Sequence, residues 1–67
     1  MSFQFTIIVP VYNEEDNLER VEKELLAYSK IATKRTSILF VNDGSIDDSQ
    51  SIIETICNRN DNFNYIS

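Results

Sequence analysis

Histidine is absent from this chain of 67 residues, and cysteine occurs only once, at Cys57. Neither a cysteine–histidine nucleophile pair nor a Cys/His zinc site can be built from such a sequence. Glycine is present only as Gly44. The dinucleotide fingerprint GxGxxG and the phosphate-binding P-loop each require more than one glycine, so both are excluded.

Positive charge is also scarce, because six Lys and Arg stand against eleven Asp and Glu, giving a net charge of −5. Nucleic acids and anionic membranes are bound by clustered positive charge, so we expect neither as a partner. No apolar run approaches the roughly 20 residues of a membrane-spanning helix, and no signal peptide is recognised. We therefore expect a cytoplasmic protein, or one acting at the cytoplasmic face of a membrane.

What the chain does contain is a regular alternation of apolar patterns. Strands are predicted over residues 5–12, 38–41 and 63–67, and helices over about 14–29 and about 47–58. Crossovers between parallel strands are right-handed, so a strand order of 3-2-1 places both helices on one face of the sheet. The predicted fold class is α/β: a βαβαβ parallel three-stranded sheet with two helices on one face.

The first two predicted strands are apolar on both of their alternating sides, which is typical of a sheet covered on both faces. Two helices cover only one face. We therefore expect an incomplete domain, and we expect self-association through the uncovered face, since exposed apolar sheet surface favours a partner.

Polar residues follow the first two predicted strands at Asn13-Glu14 and at Asp43-Gly44-Ser45. Open parallel sheets bind ligands in the crevice beyond the carboxyl ends of their strands. Each residue also has a purely structural alternative. Asn13 suits a helix N-cap, Asp43 and Ser45 suit a turn, and Gly44 supplies either a positive φ or close backbone approach.

Three further residues leave similar alternatives open. Tyr12 either lines a ligand pocket or packs within its strand, and Glu14 either accepts a ligand hydroxyl or favours the helix dipole. Asp47, with Gln50 three residues later, resembles a capping box, so a cap is favoured over a ligand contact.

The segments 10–14 (PVYNE) and 41–47 (VNDGSID) lie about 30 residues apart, which fits one βαβ unit. Together they resemble the amino-terminal nucleotide-binding part of family 2 glycosyltransferases, which have the GT-A fold. Within that family they are most similar to polyprenyl-phosphate sugar transferases of the dolichyl-phosphate mannose synthase group. The resemblance implies that residues 1–67 are the N-terminal nucleotide-binding portion of a larger catalytic domain, an incomplete Rossmann-like half.

The resemblance also implies site residues. The first segment would line the base and ribose pocket, and the carboxylate of the second would contact the base. The implied nucleotide-binding residues are Pro10, Tyr12, Asn13, Glu14, Asp43, Gly44 and Ser45. Asn42 departs from the Asp that is commoner there, and it is not counted among these residues.

No residue matches the family's catalytic base or its Asp-X-Asp metal motif, so neither a catalytic residue nor a metal ligand is assigned. The intact enzyme would use a UDP- or GDP-linked sugar and a divalent ion, Mg or Mn, which this chain alone would not bind. It would transfer the sugar with inversion to an acceptor hydroxyl or a polyprenyl phosphate, and the 67 residues alone are expected to be inactive.

Two other functions remain open from the residues. One is a receiver-like acidic signalling module, in which Glu14 and Glu15 imitate an acidic pair and Asp43 accepts a phosphoryl group. The other is a stand-alone α/β interaction domain that self-associates.

Overall fold

The structure of the chain is a computed structural model that describes residues 5–31 and 35–67. Residues 1–4 of the predicted domain lie outside the described residues. The element order βαβαβ is confirmed. The elements are β1 (Phe5–Val11), α1 (Leu18–Ile31), β2 (Thr36–Asn42), α2 (Ser49–Arg59) and β3 (Phe63–Ile66).

The three strands form one parallel sheet in the order β1-β2-β3, with β2 in the centre. This is the predicted order, and the fold class is confirmed. In the register, Val11 at the end of β1 lies beside Asn42 at the end of β2. Both strands therefore finish at the same edge of the sheet, which is where a parallel sheet places its ligands.

The hydrophobic core lies between the sheet and the two helices. Phe40 and Phe63, on neighbouring strands, place their ring centroids 5.9 Å apart. The fully buried apolar side chains are Val11, Leu18, Ile38, Phe40, Ile53, Ile56 and Phe63. Cys57 packs against this cluster, and burial raises the pKa of its thiol, so it behaves as a small apolar side chain.

The opposite face of the sheet, here called the uncovered face, has no element packed on it among the described residues. Ile8 on β1 is 63% exposed and Ile66 on β3 is 53% exposed. Leu39 and Val41 of β2 lie between them in the register. The apolar strip across this face matches the two-sided apolarity expected from the sequence.

Helix α1 begins at Leu18, later than the predicted start at Glu14, and it runs to Ile31. Asn13 does not cap it, because its side chain accepts a hydrogen bond from the backbone of Ile46 and its φ is 51°. Residues 14–17 instead form a turn, closed by a 2.9 Å bond from the Asn17 amide to the Glu14 carbonyl. The N-cap predicted at Asn13 is wrong.

Helix α2 begins at Ser49, and its N-cap residue Asp48 makes no side-chain capping bond. The predicted capping box of Asp47 and Gln50 is wrong, because Gln50 bonds to Asn42 and Glu54 instead. Asp47 still acts at the helix start, since its Oδ1 accepts a 3.0 Å bond from the Ser49 amide.

The two helices are joined by an ion pair between Glu22 and Arg59. Glu22 is only 6% exposed, and its carboxylate accepts bonds from the Arg59 guanidinium, through Nε (2.9 Å) and Nη2, and from Asn60 Nδ2 (2.7 Å). The bonds from Arg59 hold the pKa of Glu22 below its ordinary value, against the opposing effect of burial. The pair fixes the end of α2 against the middle of α1.

Candidate functional site

The carboxyl ends of β1 and β2 each continue into a polar segment. We call residues 12–15 the first corner and residues 43–48 the second corner. The Asp43 amide donates a 2.9 Å bond to the Val11 carbonyl, which continues the sheet pairing into the second corner. The two corners are therefore neighbours at one edge of the sheet, as parallel pairing of the strands predicted.

Side chains following β2 accept bonds from three consecutive amides of the first corner. The Asn13 amide donates to Ser45 Oγ at 3.0 Å, and the Glu14 amide donates to Ser49 Oγ at 2.9 Å. The Glu15 amide donates to Asp47 Oδ2 at 3.2 Å. These amides precede α1 and have no acceptor in that helix, so partners from elsewhere in the chain satisfy them.

Asn13 contributes a bond in the opposite direction, because its Oδ1 accepts the Ile46 amide at 2.9 Å. Its φ of 51° lies in the left-handed region, which asparagine tolerates better than most residues. Asn13 and the pair Ser45-Ile46 are thus joined by two reciprocal bonds, which set the shape of both corners together.

Two residues of this network, Asp47 and Ser49, were not among the predicted site residues. Asp47 was expected to be a cap, and Ser49 was given no role. The signal in the sequence is the alternation Ser45-x-Asp47-x-Ser49, which places three short oxygen acceptors at every second position after β2. The structure pairs these three acceptors with the amides of residues 13–15.

The Asp47 carboxylate uses both of its oxygens in these contacts. Its partial burial raises the pKa, but bonds from the Ser49 side chain and from the amides of Ser49 and Glu15 outweigh that effect. The pKa of Asp47 is therefore held below its ordinary value. The group stays ionised at neutral pH, and it remains an acceptor for both corners.

The predicted residues of the β1 side lie along the open side of the structure. Pro10 is exposed and pairs with Val41 in the register, so it belongs to the uncovered face. Tyr12 lies two residues later and is 59% exposed, whereas a side chain packed within a strand would be buried. Glu14 is exposed, and its Oε2 accepts a 3.0 Å bond from Asn17 Nδ2.

The Asp43 carboxylate of the second corner has no hydrogen-bond or ion-pair partner among the described residues. The residue is also exposed. Gly44 has a φ of 73°, and a Cβ placed on it would meet no atom within 4 Å. Of the two explanations for this glycine, positive φ applies and close approach of neighbouring protein atoms does not.

Asn42 is 7% exposed and its side chain is used inside the protein. Its Nδ2 donates to Gln50 Oε1 at 2.7 Å, and its Oδ1 accepts the Ser45 amide at 3.2 Å. Gln50 in turn donates to Glu54 at 2.9 Å. Asn42 therefore connects the end of β2 to the second corner, through the Ser45 amide, and to α2, through Gln50.

The donor set for a metal ion is not assembled in the part of the chain that the structure describes. No three side chains of the His, Cys, Asp and Glu types converge there. Within the same residues, no helix has both the length and the apolarity to cross a membrane. The chemistry that the two corners offer is hydrogen bonding by the free carboxylate of Asp43 and an exposed ring, that of Tyr12, after the paired end of the neighbouring strand.

Comparison with known proteins identifies relatives of this chain. An uncharacterised glycosyltransferase of Mycoplasma pneumoniae is 34% identical over 64 residues, which is 96% of this chain and 21% of that protein. The undecaprenyl-phosphate 4-deoxy-4-formamido-L-arabinose transferase of Proteus mirabilis is 32% identical over 57 residues, 85% of this chain and 18% of that protein. A prophage bactoprenol glucosyl transferase homologue of Escherichia coli is 32% identical over 53 residues, 79% of this chain and 17% of that protein.

The chain thus spans about a fifth of the length of these curated relatives. The model of glycosyl transferase family 2 matches residues 6–67, a range that contains both corners and all five elements except the first residue of β1. The chain therefore belongs to glycosyl transferase family 2.

Proposed function

We propose that this chain binds the nucleoside end of a nucleotide-diphosphate sugar, as the nucleotide-binding portion of a glycosyltransferase. The proposal rests on one observation: the two corners are bonded to each other at the carboxyl edge of the sheet, and the Asp43 carboxylate beside them is free. Family membership supplies the class of reaction.

The chemistry of a nucleobase suits Asp43. Uracil and guanine both present ring N–H groups along one edge, and a fixed carboxylate accepts such a donor through a charge-assisted bond, which is roughly twice as strong as a neutral one. Tyr12 follows Val11, the register partner of Asn42, and its exposed ring offers a face against which a base or ribose can pack.

The charge of the two corners favours the nucleoside over the diphosphate. Residues 10–16 and 41–49 each contain three acidic side chains, and neither segment contains Lys or Arg. A diphosphate placed there would face like charge without a cationic partner. We therefore assign the base and ribose to these corners, and Pro10, Asn13, Glu14, Gly44 and Ser45 form the rest of the proposed pocket.

In the longer protein, the sugar would pass with inversion from the nucleotide to an acceptor. An acceptor oxygen would attack the anomeric carbon, whose bond to the diphosphate oxygen breaks, so that the nucleoside diphosphate leaves. If the acceptor is a hydroxyl, a carboxylate outside these residues would take its proton, whereas a phosphate acceptor brings an oxygen that is already ionised. The divalent ion, Mg or Mn, that the family resemblance implies finds no donor set among the described side chains, so no step here is assigned to it.

The names of two relatives suggest the acceptor. One is called an undecaprenyl-phosphate transferase and another a bactoprenol glucosyl transferase. We propose a polyprenyl phosphate as the acceptor class, with transfer at the cytoplasmic face of a membrane. The receiver-like function proposed as an alternative has no support from the family match, which covers residues 6–67.

The binding proposal can be tested by NMR titration of the chain with UDP and, separately, with GDP. We expect the amide resonances of Asp43 and Tyr12 to move in a saturable way with at least one of the two. Asp43→Asn should raise the dissociation constant by about tenfold or more, because a hydrogen bond to a charged group contributes about 1.5–3 kcal/mol. The nucleotide that binds more tightly identifies the base of the donor.

Two controls make this titration specific. Asp48→Asn removes the same charge from an exposed neighbour that makes no capping bond, and it should leave the affinity unchanged. Pyrophosphate without a nucleoside should not move the Asp43 resonance. Resonances of Asp43 and Tyr12 that stay in place at millimolar UDP and GDP would contradict the proposal.

A further inference from the structure

Two residues of the corner network direct their side chains to backbone amides of the protein. Ser49 has 0% of its surface exposed, and its Oγ accepts the Glu14 amide. Asp47 has both carboxylate oxygens engaged, one by the Glu15 amide and the other by the Ser49 amide. Both side chains therefore hold the backbone of the first corner through the amides of Glu14 and Glu15.

We infer that Asp47 and Ser49 are positioning residues, which fix the backbone of the first corner and thereby the placement of Tyr12 and Glu14 in the nucleotide pocket. The inference rests on the proposed nucleotide binding. The contacts that carry it join side chains at the start of α2 to backbone amides that lie 32 and 35 residues earlier in the chain.

The first corner has few restraints apart from these bonds. Asn13, Glu14 and Glu15 precede α1, and their amides are accepted by side chains of residues 45–49, not by the helix. Helix α1 begins only at Leu18. Removing an acceptor leaves a backbone donor in a partly buried position without a partner, and the corner then opens to reach water.

Ser49 and Asp47 hold different amides of the first corner. Ser49 is held in the core side of α2, so its hydroxyl presents a fixed, neutral acceptor to the Glu14 amide. Asp47 links the first corner to α2, because its carboxylate accepts both the Glu15 amide of that corner and the Ser49 amide at the start of the helix. The position of the first corner is thus set by the start of α2.

Amide hydrogen exchange measures these contacts directly and needs no ligand. Ser49→Ala should accelerate exchange at the Glu14 amide by about tenfold, as expected when a partly buried donor loses its acceptor. Asp47→Ala should accelerate exchange at Glu15 several-fold. Asp47→Asn should have an intermediate effect, because its amide oxygen can still accept one of the two bonds.

Matched controls lie on the same helix or beside it. Asp48→Ala removes a charge next to Asp47, and Ser51→Ala removes an exposed hydroxyl two residues after Ser49. Neither should change exchange at residues 13–15. Unchanged exchange at the amides of β2 in every variant shows that the sheet itself is intact.

The same variants are then titrated with UDP and GDP. We expect Ser49→Ala and Asp47→Ala to weaken nucleotide affinity several-fold, and the two controls to match the parent chain. Unchanged exchange at Glu14 and Glu15 in both variants would overturn the inference. Faster exchange with unchanged affinity would overturn the positioning role.

A parent chain that binds neither nucleotide would refute the proposed function. In that case the exchange rates alone decide whether Asp47 and Ser49 fix the first corner.

Discussion

Replacement of Glu22 tests how the two helices are held together. Its carboxylate is buried and accepts three hydrogen bonds, two from Arg59 and one from Asn60. Breaking a buried ion pair from one side costs about 3–5 kcal/mol when the remaining charge is also buried. The Arg59 side chain is 50% exposed and regains water, so we expect Glu22→Ala to lower the free energy of unfolding by about 2 kcal/mol.

Thermal denaturation followed by circular dichroism measures this loss. In a domain of this size, 1 kcal/mol corresponds to about 4–8 °C, so the midpoint should fall by roughly 10 °C. Glu24→Gln on the same helix is the matched control. Glu24 pairs with Arg20 at 3.7 Å with both side chains about two-thirds exposed, and its loss should cost less than about 0.5 kcal/mol.

The pH dependence gives an independent check. The pKa of Glu22 is lower in the folded chain than its ordinary value, so the unfolded chain takes up the proton more readily. The stabilisation is fully present above the ordinary glutamate pKa of about 4.3 and is lost as pH falls through the lower, folded value. The stability curves of the parent and Glu22→Gln should therefore converge in acid.

Two results would contradict this account. Equal midpoints for Glu22→Ala and Glu24→Gln would mean that the buried pair adds nothing to stability. A gap between the parent and Glu22→Gln that persists at acid pH would mean that packing, not charge, is responsible.

Three further changes test the corners and the uncovered face. Asn13→Ala should lower the free energy of unfolding by about 2 kcal/mol, through the lost Ile46 bond and the left-handed φ, whereas Asn13→Gly should cost only about 1 kcal/mol. Equal losses in urea denaturation would show that φ plays no part. Gly44→Ala should cost about 1 kcal/mol from its φ of 73° alone, since a Cβ meets no neighbour, and a neutral result in the same assay would mean that the corner relaxes. The chain should self-associate at high micromolar concentration, and Ile8→Lys on the uncovered face should reduce this in sedimentation whereas Ile31→Lys, at the exposed end of α1, should not. A parent chain that sediments as a stable monomer would contradict the association.

The sequence predicts those parts of the fold that depend on local pattern. The apolar runs around Val9 and Phe40 locate β1 and β2, and the rule for parallel strands then brings the two corners together at one edge. The start of α1 was wrong because local capping rules assign Asn13 to its own helix. In the structure its side chain bonds to Ile46, 33 residues away, and no local rule contains that partner.

The same limit applies to the candidate site. The free carboxylate of Asp43 lies at the predicted edge, and its role in binding stays a prediction. Asp47 was assigned to its own helix for the same local reason as Asn13. Its bond to the Glu15 amide depends on how two distant turns face each other, which only the folded chain determines.

The bonds between the corners connect residues 32–35 positions apart, so their formation must follow the closure of a long loop. Loop closure carries an entropic cost that must be met before distant contacts can repay it. The edge that carries the proposed site therefore exists only when β1 and β2 are both in place. A nascent or partly melted chain would carry every residue of the proposed pocket and yet have no pocket, so the proposed nucleotide binding would require completion of the first βαβ unit.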